Sequence, residues 1–551
     1  MTRPAVSTAL TRITQRTGVA LEIDGATLDV GGHRVPLPAR SAWDNLRMRH
    51  AFPYAARGDQ REKLLFTAIQ DAGPERTTPH RLDEELRSDL EDYISLPGAR
   101  TVGTVADAMR GEYWTEPSKR PFLLPYHADL PLAYTHSVLV KTPRGNERLA
   151  RDGKTFNAAQ YRMFAGYILP FLCWDGTAVN TPLIDELLQV VASQDGLTLL
   201  DTLFLEAARA LAGDTGELSS ERLIDRAGSM LGPLENSSGG PFCQHSLALF
   251  QRDLATVIRM ALPRADRIAA ITQVISLHLA TYYYRVALVL GIELETLAAA
   301  TTGEAATPAC PCTGLAACPL AGAIKMRAPT RGFRAISLSS PSRESYLALD
   351  RDRLLAMPAN IIAANLLERA WAAVGGTASR EGTPRPAAIT AELGLRQELL
   401  REFDAAAAAL SVLYAGDADA ADSTIAHIAA REPGPFALQS AVIQIRRSRL
   451  KHTSRDVVHQ LAHRPGEGAI LRKNGSLYYF ELDEDMLFLL VKLICQDETI
   501  ALDTFLTRLA EYGLAPQDRA ETDLLASRLE ELGMLTRYSD AGESNYVRHI
   551  F

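Results

Sequence analysis

Cysteine is scarce in this 551-residue chain, with six residues in all. That excludes a fold held by disulfides, since such scaffolds are cysteine-dense and belong to oxidising compartments. Long apolar runs are lacking too. The most apolar stretch, residues 277–290, is interrupted by His278 and Arg285. It is shorter than the roughly 20 residues needed to span a bilayer, so a buried helix is expected there. The opening Met1-Thr2-Arg3-Pro4-Ala5 has no apolar core behind its basic residue, which predicts no secretory signal. A Gly-x-Ser-x-Gly elbow, a His-Glu-x-x-His helix and a dinucleotide-type glycine fingerprint are all missing, and with them the chemistries they carry. Residues 148–155 end in Gly153-Lys154-Thr155, but Arg148 fills the first glycine position of a P-loop. Backbone cannot approach phosphate there, so nucleotide hydrolysis is not expected.

What is present is the composition of a globular protein, 47% hydrophobic and 23% charged. Sparse cysteine and the missing signal make the cytoplasm the expected location. The length implies several domains, and the patterning gives a mainly α fold with small β elements. Residues 19–37 alternate around Asp24-Gly25 and Gly31-Gly32, the signature of a β-meander. Helical periods follow near 61–72 and 82–95. Between 157 and 300 they dominate, at 157–172, 181–194, 198–212, 219–231, 244–262 and 266–297, as in a helical bundle. Further helices are expected at 347–373 and across the Ala-rich 390–432, where alanine supplies helix propensity. Four regions result: 1–130, an N-terminal α+β region with the meander; 131–345, the helical bundle with a cysteine-rich loop; 346–464, Ala-rich helices ending in a basic stretch; and 465–551.

The last region has the clearest order of elements. Strands around Asn474-Gly475 form a hairpin. Asp483 caps a helix through Ile494, a second helix runs from about Leu502 to Tyr512, and Pro516 opens a third that Gly533 ends. A terminal hairpin closes the chain around the turn at 539–542. Hairpin, three helices and hairpin resemble a winged-helix domain, with Leu529-Glu530-Glu531-Leu532-Gly533-Met534-Leu535 as the passage into the wing. In that family the third helix usually enters the major groove. Here it carries Asp518, Glu521, Asp523, Glu530 and Glu531 against Arg519 and Arg528. A net negative helix is repelled by phosphate and releases no counterions, so protein docking is expected instead.

Charge is unevenly placed. Residues 465–551 hold eight Arg and Lys against sixteen Asp and Glu, which accounts for the whole net charge of −8. Two upstream passages are positive: Lys325, Arg327, Arg331 and Arg334, and the run containing Arg446, Arg447, Arg449, Lys451 and Arg455. Both suit phosphate contacts that position without reading bases, making DNA an expected partner. The alternative is ion pairing with the acidic C-terminal region.

Three of the six cysteines, Cys310, Cys312 and Cys318, lie within nine residues. Three thiols need a fourth ligand, because structural zinc and cubane iron–sulfur clusters usually take four. Cys243 before a helix is the leading candidate, where the dipole favours thiolate, and His245 is the alternative. Pro319 after the last cysteine is similar to the Cys-Pro ending of iron–sulfur sites. A distant cysteine followed by a compact trio resembles the iron–sulfur staple of recombination and CRISPR-adaptation nucleases. Their trio is Cys-x2-Cys-x5-Cys, whereas the first gap here is one residue. The expected occupant is an iron–sulfur cluster, of the 4Fe-4S type, or structural zinc, with unliganded cysteines as the remaining alternative. Cys173 and Cys495 sit in apolar helices as core residues. His127, Asp129 and His136 form a weaker metal-type set inside a Pro-rich aromatic passage.

Together these features predict a non-catalytic accessory subunit of a bacterial DNA-processing assembly, in restriction, antiphage defence or repair. Its basic stretches would contact nucleic acid, and its acidic winged helix would dock a partner such as an ATPase or helicase. The competing readings are an enzyme with an unrecognised site, including a metal-stapled nuclease-like one, and a scaffold without nucleic acid.

Overall fold

The computed structural model describes residues 4–37, 64–69, 72, 148–151, 154–157, 168–193, 218–231, 241–303, 313–330, 334–348, 354–376, 386–417, 422–447, 462, 469–538 and 544–550. Among the described residues helix outweighs strand by 66% to 12%, so the fold is mainly α with small sheets. Contacts divide the chain into two compact units, one of residues 1–53, 237–245 and 280–551 and the other of residues 54–236 and 246–279.

The first unit opens with helix α1 (Pro4–Thr17) and a meander of β1 (Leu21–Asp24), β2 (Thr27–Val30) and β3 (His33–Pro36) in the order β1-β2-β3. The first loop is Gly25-Ala26, with Asp24 paired to Thr27 and Gly25 at φ +59°. Glycine at the first loop position is what a type II′ hairpin turn requires.

The second unit contains α2 (Leu64–Ile69), a hairpin of β4 (Arg148–Arg151) and β5 (Lys154–Asn157), α3 (Ile168–Leu172), α4 (Thr181–Ala192) and α5 (Ser220–Leu231). The sequence around Lys154 is thus a strand, and the helix expected from 157 is described only from Ile168. Asn180 caps α4 by accepting from the Leu183 amide, which satisfies one of the amides a helix start leaves open.

Most of α6 (Gln244–Arg259) and the start of α7 (Arg264–Thr301) also belong to this unit. By length and composition α7 could cross a membrane, yet its apolar residues are buried in protein, Ile271, Leu279, Tyr282, Tyr283 and Tyr284 completely. Both polar interruptions of its apolar run have partners. His278 lies 2.9 Å from the buried Asp253 carboxylate, and Arg285 donates to the Glu511 carbonyl. Buried polar groups persist only when paired in this way.

The rest of α7 rejoins the first unit, which continues with β6 (Ile324–Met326), α8 (Pro341–Ala348), α9 (Leu355–Ala373), α10 (Pro386–Leu395), α11 (Leu400–Asp417), α12 (Asp422–Arg431) and α13 (Gly434–Arg447). The expected region boundary at 345 falls inside α8. α11 packs on α13, α12 and α1. Its Ala405 to Ala409 are fully buried, so they permit close helix approach as well as favouring helix. A Cβ on Gly434 would lie 2.2 Å from the Asp404 carbonyl oxygen, so only glycine starts α13 there.

The C-terminal elements are β7 (Leu471–Asn474), β8 (Leu477–Phe480), α14 (Glu484–Cys495), β9 (Ile500–Ala501), α15 (Leu502–Glu511), β10 (Leu514–Pro516), α16 (Arg519–Glu531), β11 (Leu535–Tyr538) and β12 (Ser544–Val547). β11, β12 and β9 form an antiparallel sheet with β12 in the middle. Phe505, Leu509, Leu525, Leu529, Met534 and Val547 fill its core. Asp483 caps α14 through the Met486 amide, and Gly533 ends α16 at φ +74°. Pro516 closes β10, and the cap of α16 is Asp518, which accepts from the Glu521 amide.

Candidate functional site

The segment leaving the cysteine loop is built into the C-terminal fold. β6 pairs in parallel with β10, Ile324 opposite Leu514 and Met326 opposite Pro516. The Ile324 amide donates to the Gly513 carbonyl at 2.9 Å, and the Gln517 amide donates to the Met326 carbonyl at 2.9 Å. On its other side the Arg327 amide donates to the Phe480 carbonyl at 3.0 Å. The segment therefore runs between two small two-stranded sheets, paired with β10 through β6 and joined to the β7–β8 hairpin by a single bridge of Arg327 to Glu481. Gly513, at φ +90°, sits where a Cβ would meet the Leu320 side chain at 3.1 Å. Tyr346 of α8 covers the hairpin, its ring 5.6 Å from that of Tyr478 and 5.9 Å from that of Phe480.

This placement turns the first basic passage inward. Both Arg334 Nη atoms donate to Glu521, each at 2.9 Å, and the Ala328 amide donates to the same carboxylate at 2.8 Å. Arg327 is buried, over the Tyr479 ring at 5.7 Å and 4.0 Å from Glu481. Lys325 is half-buried in β6. Arg331 lies outside the described residues. Arg334, expected to be open to phosphate, is thus hydrogen-bonded to an acid of the C-terminal region, while Arg327 stands near Glu481 without a hydrogen bond to it.

Glu481 collects several cations. Arg472 lies across the hairpin from Tyr479, with its Nε 4.0 Å from Glu481. Burial raises the Glu481 pKa above the ordinary glutamate range, opposed by Arg327, Arg472 and Arg334. Arg472, Tyr479, Glu481 and Glu521 were not among the expected site residues. The only sequence signal for them was the hairpin, whose pairing sets Arg472 against Tyr479.

The third helix shows a different surface. Ala520, Asp523, Leu524, Ser527, Glu530 and Glu531 are all exposed, and their three- and four-residue spacing puts them on one side of α16. Leu524, at 39%, is among the exposed large apolar residues. Arg528 is buried and pairs with Glu484 and Glu531. Arg519 is the exposed cation on this helix, while Arg537 of β11 reaches Glu530 at 2.8 Å.

Of the second basic run, Arg446 and Arg447 close α13, and Arg449, Lys451 and Arg455 lie outside the described residues. Among the expected metal ligands, Cys243 directly precedes α6 and is half-buried, His245 is exposed, and Cys318 is buried. Cys310 and Cys312 lie outside the described residues, as do His127, Asp129 and His136. Among the described residues no three His, Cys, Asp or Glu side chains come together as a metal site. Burial pushes the Cys495 thiol up to about 11 and raises that of Cys173 as well, which fits protonated core residues.

Compared with models of protein families and with curated proteins, the chain matches none.

Proposed function

We propose that this chain is a non-catalytic, cytoplasmic subunit of a bacterial-type DNA-handling assembly. It docks a protein partner on the outward side of α16 and meets nucleic acid through the basic run that begins at Arg446 and Arg447. The observation that carries this reading is the surface of α16, where Asp523, Glu530 and Glu531 surround the exposed Leu524 and Arg528 is turned inward. A groove-reading helix needs outward cations to replace condensed counterions. An acidic side with an apolar centre suits a protein, and an ATPase or helicase subunit is the partner class such an accessory chain would serve.

Salt-dependent retention of the full chain on DNA tests the division of surfaces. Arg446, Arg447 and Arg449→Ala together are expected to abolish most retention, while Arg519→Ala leaves it unchanged. Retention that survives the triple change and falls with Arg519→Ala would overturn the reading. A second reading, a scaffold without nucleic acid, is favoured by the pairing of Arg334 with Glu521 and of Arg327 with Glu481. It predicts no DNA retention by the unaltered chain.

The cysteine loop is proposed as a metal staple with Cys243, Cys310, Cys312 and Cys318 as ligands and His245 as the alternative to Cys243. A visible absorption band bleached by dithionite identifies an iron–sulfur cluster, and a colourless protein with stoichiometric zinc identifies zinc. Purified protein with neither metal would sink the staple.

A further inference from the structure

We propose that the arginines around Glu481 on the β7–β8 hairpin, chiefly Arg472 and Arg327, form a binding site for a phosphate group. Three guanidinium groups (Arg327, Arg334 and Arg472) share two carboxylates, Glu481 and Glu521, with the buried Asp483 carboxylate also acting on Arg472. The two halves of the cluster differ in closure. Arg334 and Glu521 are joined by two hydrogen bonds of 2.9 Å. Arg327 Nη1 and Arg472 Nε each stand 4.0 Å from an oxygen of Glu481, outside hydrogen-bond range. Arg472 Nε is buried with no hydrogen-bond partner, and Arg327 Nη1 makes one long bond, 3.4 Å, to the Arg334 carbonyl.

A guanidinium offers five N–H donors in a planar fork. Of the pair flanking Glu481, Arg472 Nε is a buried donor left unspent, which is costly. The site is also shaped. The Arg327 guanidinium lies over the Tyr479 ring, 5.7 Å from its centroid. The Phe480 carbonyl of β8 anchors the Arg327 backbone amide, and the hairpin sets Arg472 opposite Tyr479. Arg472 retains 23% of its side-chain exposure and Glu481 18%, so the cluster is reachable from solvent. A phosphate has enough oxygens to engage both forks at once, and charge-assisted bonds of this kind are the strong ones. The phosphate belongs either to a nucleic-acid backbone or to a small phosphate compound. The first source rests on the nucleic-acid reading above.

Calorimetric titration of the full chain with inorganic phosphate, against chloride at matched ionic strength, tests the site. Saturable binding is expected, weakened about tenfold by Arg472→Ala through loss of a charged donor fork. Glu481→Gln removes the competing carboxylate in a side chain of the same shape and is expected to tighten binding severalfold, which a merely structural role for Glu481 does not predict. No saturable phosphate binding, or binding that neither variant changes, overturns the proposal. Displacement of phosphate by a short oligonucleotide assigns the site to nucleic acid, and phosphate binding without displacement assigns it to a small phosphate compound. Loss of DNA retention on changing Arg446, Arg447 and Arg449, with no phosphate binding at the hairpin, sinks this site alone. The reverse pair of results sinks the reading it rests on.

Discussion

Arg334 and Glu521 meet through two hydrogen bonds of 2.9 Å, and Glu521 also accepts the Ala328 amide. Removing one member of such a pair leaves the other charge half-buried without compensation, which costs more than the bond contributes when intact. Glu521→Ala is therefore expected to lower the unfolding free energy by about 2–3 kcal/mol, because the Arg334 guanidinium and the Ala328 amide lose their acceptor together. Arg334→Met in the same background should cost little more. A double-mutant cycle in denaturant reads the coupling directly. A sum of the two single effects in the double variant would show that the groups act independently. Ion pairing with the acidic C-terminal region was the alternative reading of the basic passages, but which residues meet was not legible. The residues stand 187 positions apart, and a basic passage looks the same in sequence whether it faces phosphate or its own chain. The local signals were legible because they act over three or four residues. Asp483 accepts from Met486 and Gly533 takes φ +74°, as short-range capping chemistry requires. Pro516 misled for a related reason: proline fits the first turn of a helix or the end of a strand equally well, and Asp518 holds the cap.

Hairpins and long helices followed from period and turn chemistry, with one consistent offset. The loops are Gly25-Ala26 and Gly475-Ser476, so Asp24 and Asn474 remain in their strands, paired with Thr27 and Leu477. Moving the loop by one residue moves each cross-strand partner by two, so the strand faces are kept and the partners change. This shift sets Arg472 opposite Tyr479, beside Glu481. β6 gave no signal, since three residues are too short to show alternation and its partner β10 lies far along the chain. Parallel pairing of that kind depends on tertiary context. Ile324 and Leu514 are fully buried at this seam. Ile324→Ala is expected to cost about 2–4 kcal/mol by lost burial and cavity formation. The Gln517 amide, bonded to the Met326 carbonyl, should then lose hydrogen-exchange protection, whereas the Val547 amide in the distant β9–β12 pairing keeps it. Equal loss at both amides would mean that β6 supports the whole unit and is not a local seam.

At the scale of the molecule, residues 465–551 carry all the net charge, which invites treating them as a detachable acidic module. Their packing argues otherwise. Tyr346 packs on Tyr478 at a tilt and meets Phe480 edge-on, as Tyr284 does, Arg285 donates to the Glu511 carbonyl, and β6 is hydrogen-bonded to β10. Each partner comes from residues 280–348, within the same compact unit. Cutting before residue 465 would uncover Tyr284, Ile324, Met326 and Tyr346, all now buried. Fully exposing such side chains forfeits about 1.5–3 kcal/mol each, a total comparable to the stability of an ordinary domain. The truncated chain 1–464 is therefore expected to aggregate, or to melt without a cooperative transition for this unit. Size-exclusion chromatography and thermal unfolding, compared with the full chain, read the difference. A truncated chain that stays monodisperse and melts cooperatively at the full-length temperature would mean the C-terminal fold is an appendage. Loss of partner binding in a truncation that unfolds says nothing about α16. The docking surface is instead probed by Leu524→Asp, which adds charge to an exposed position and leaves the core as it is.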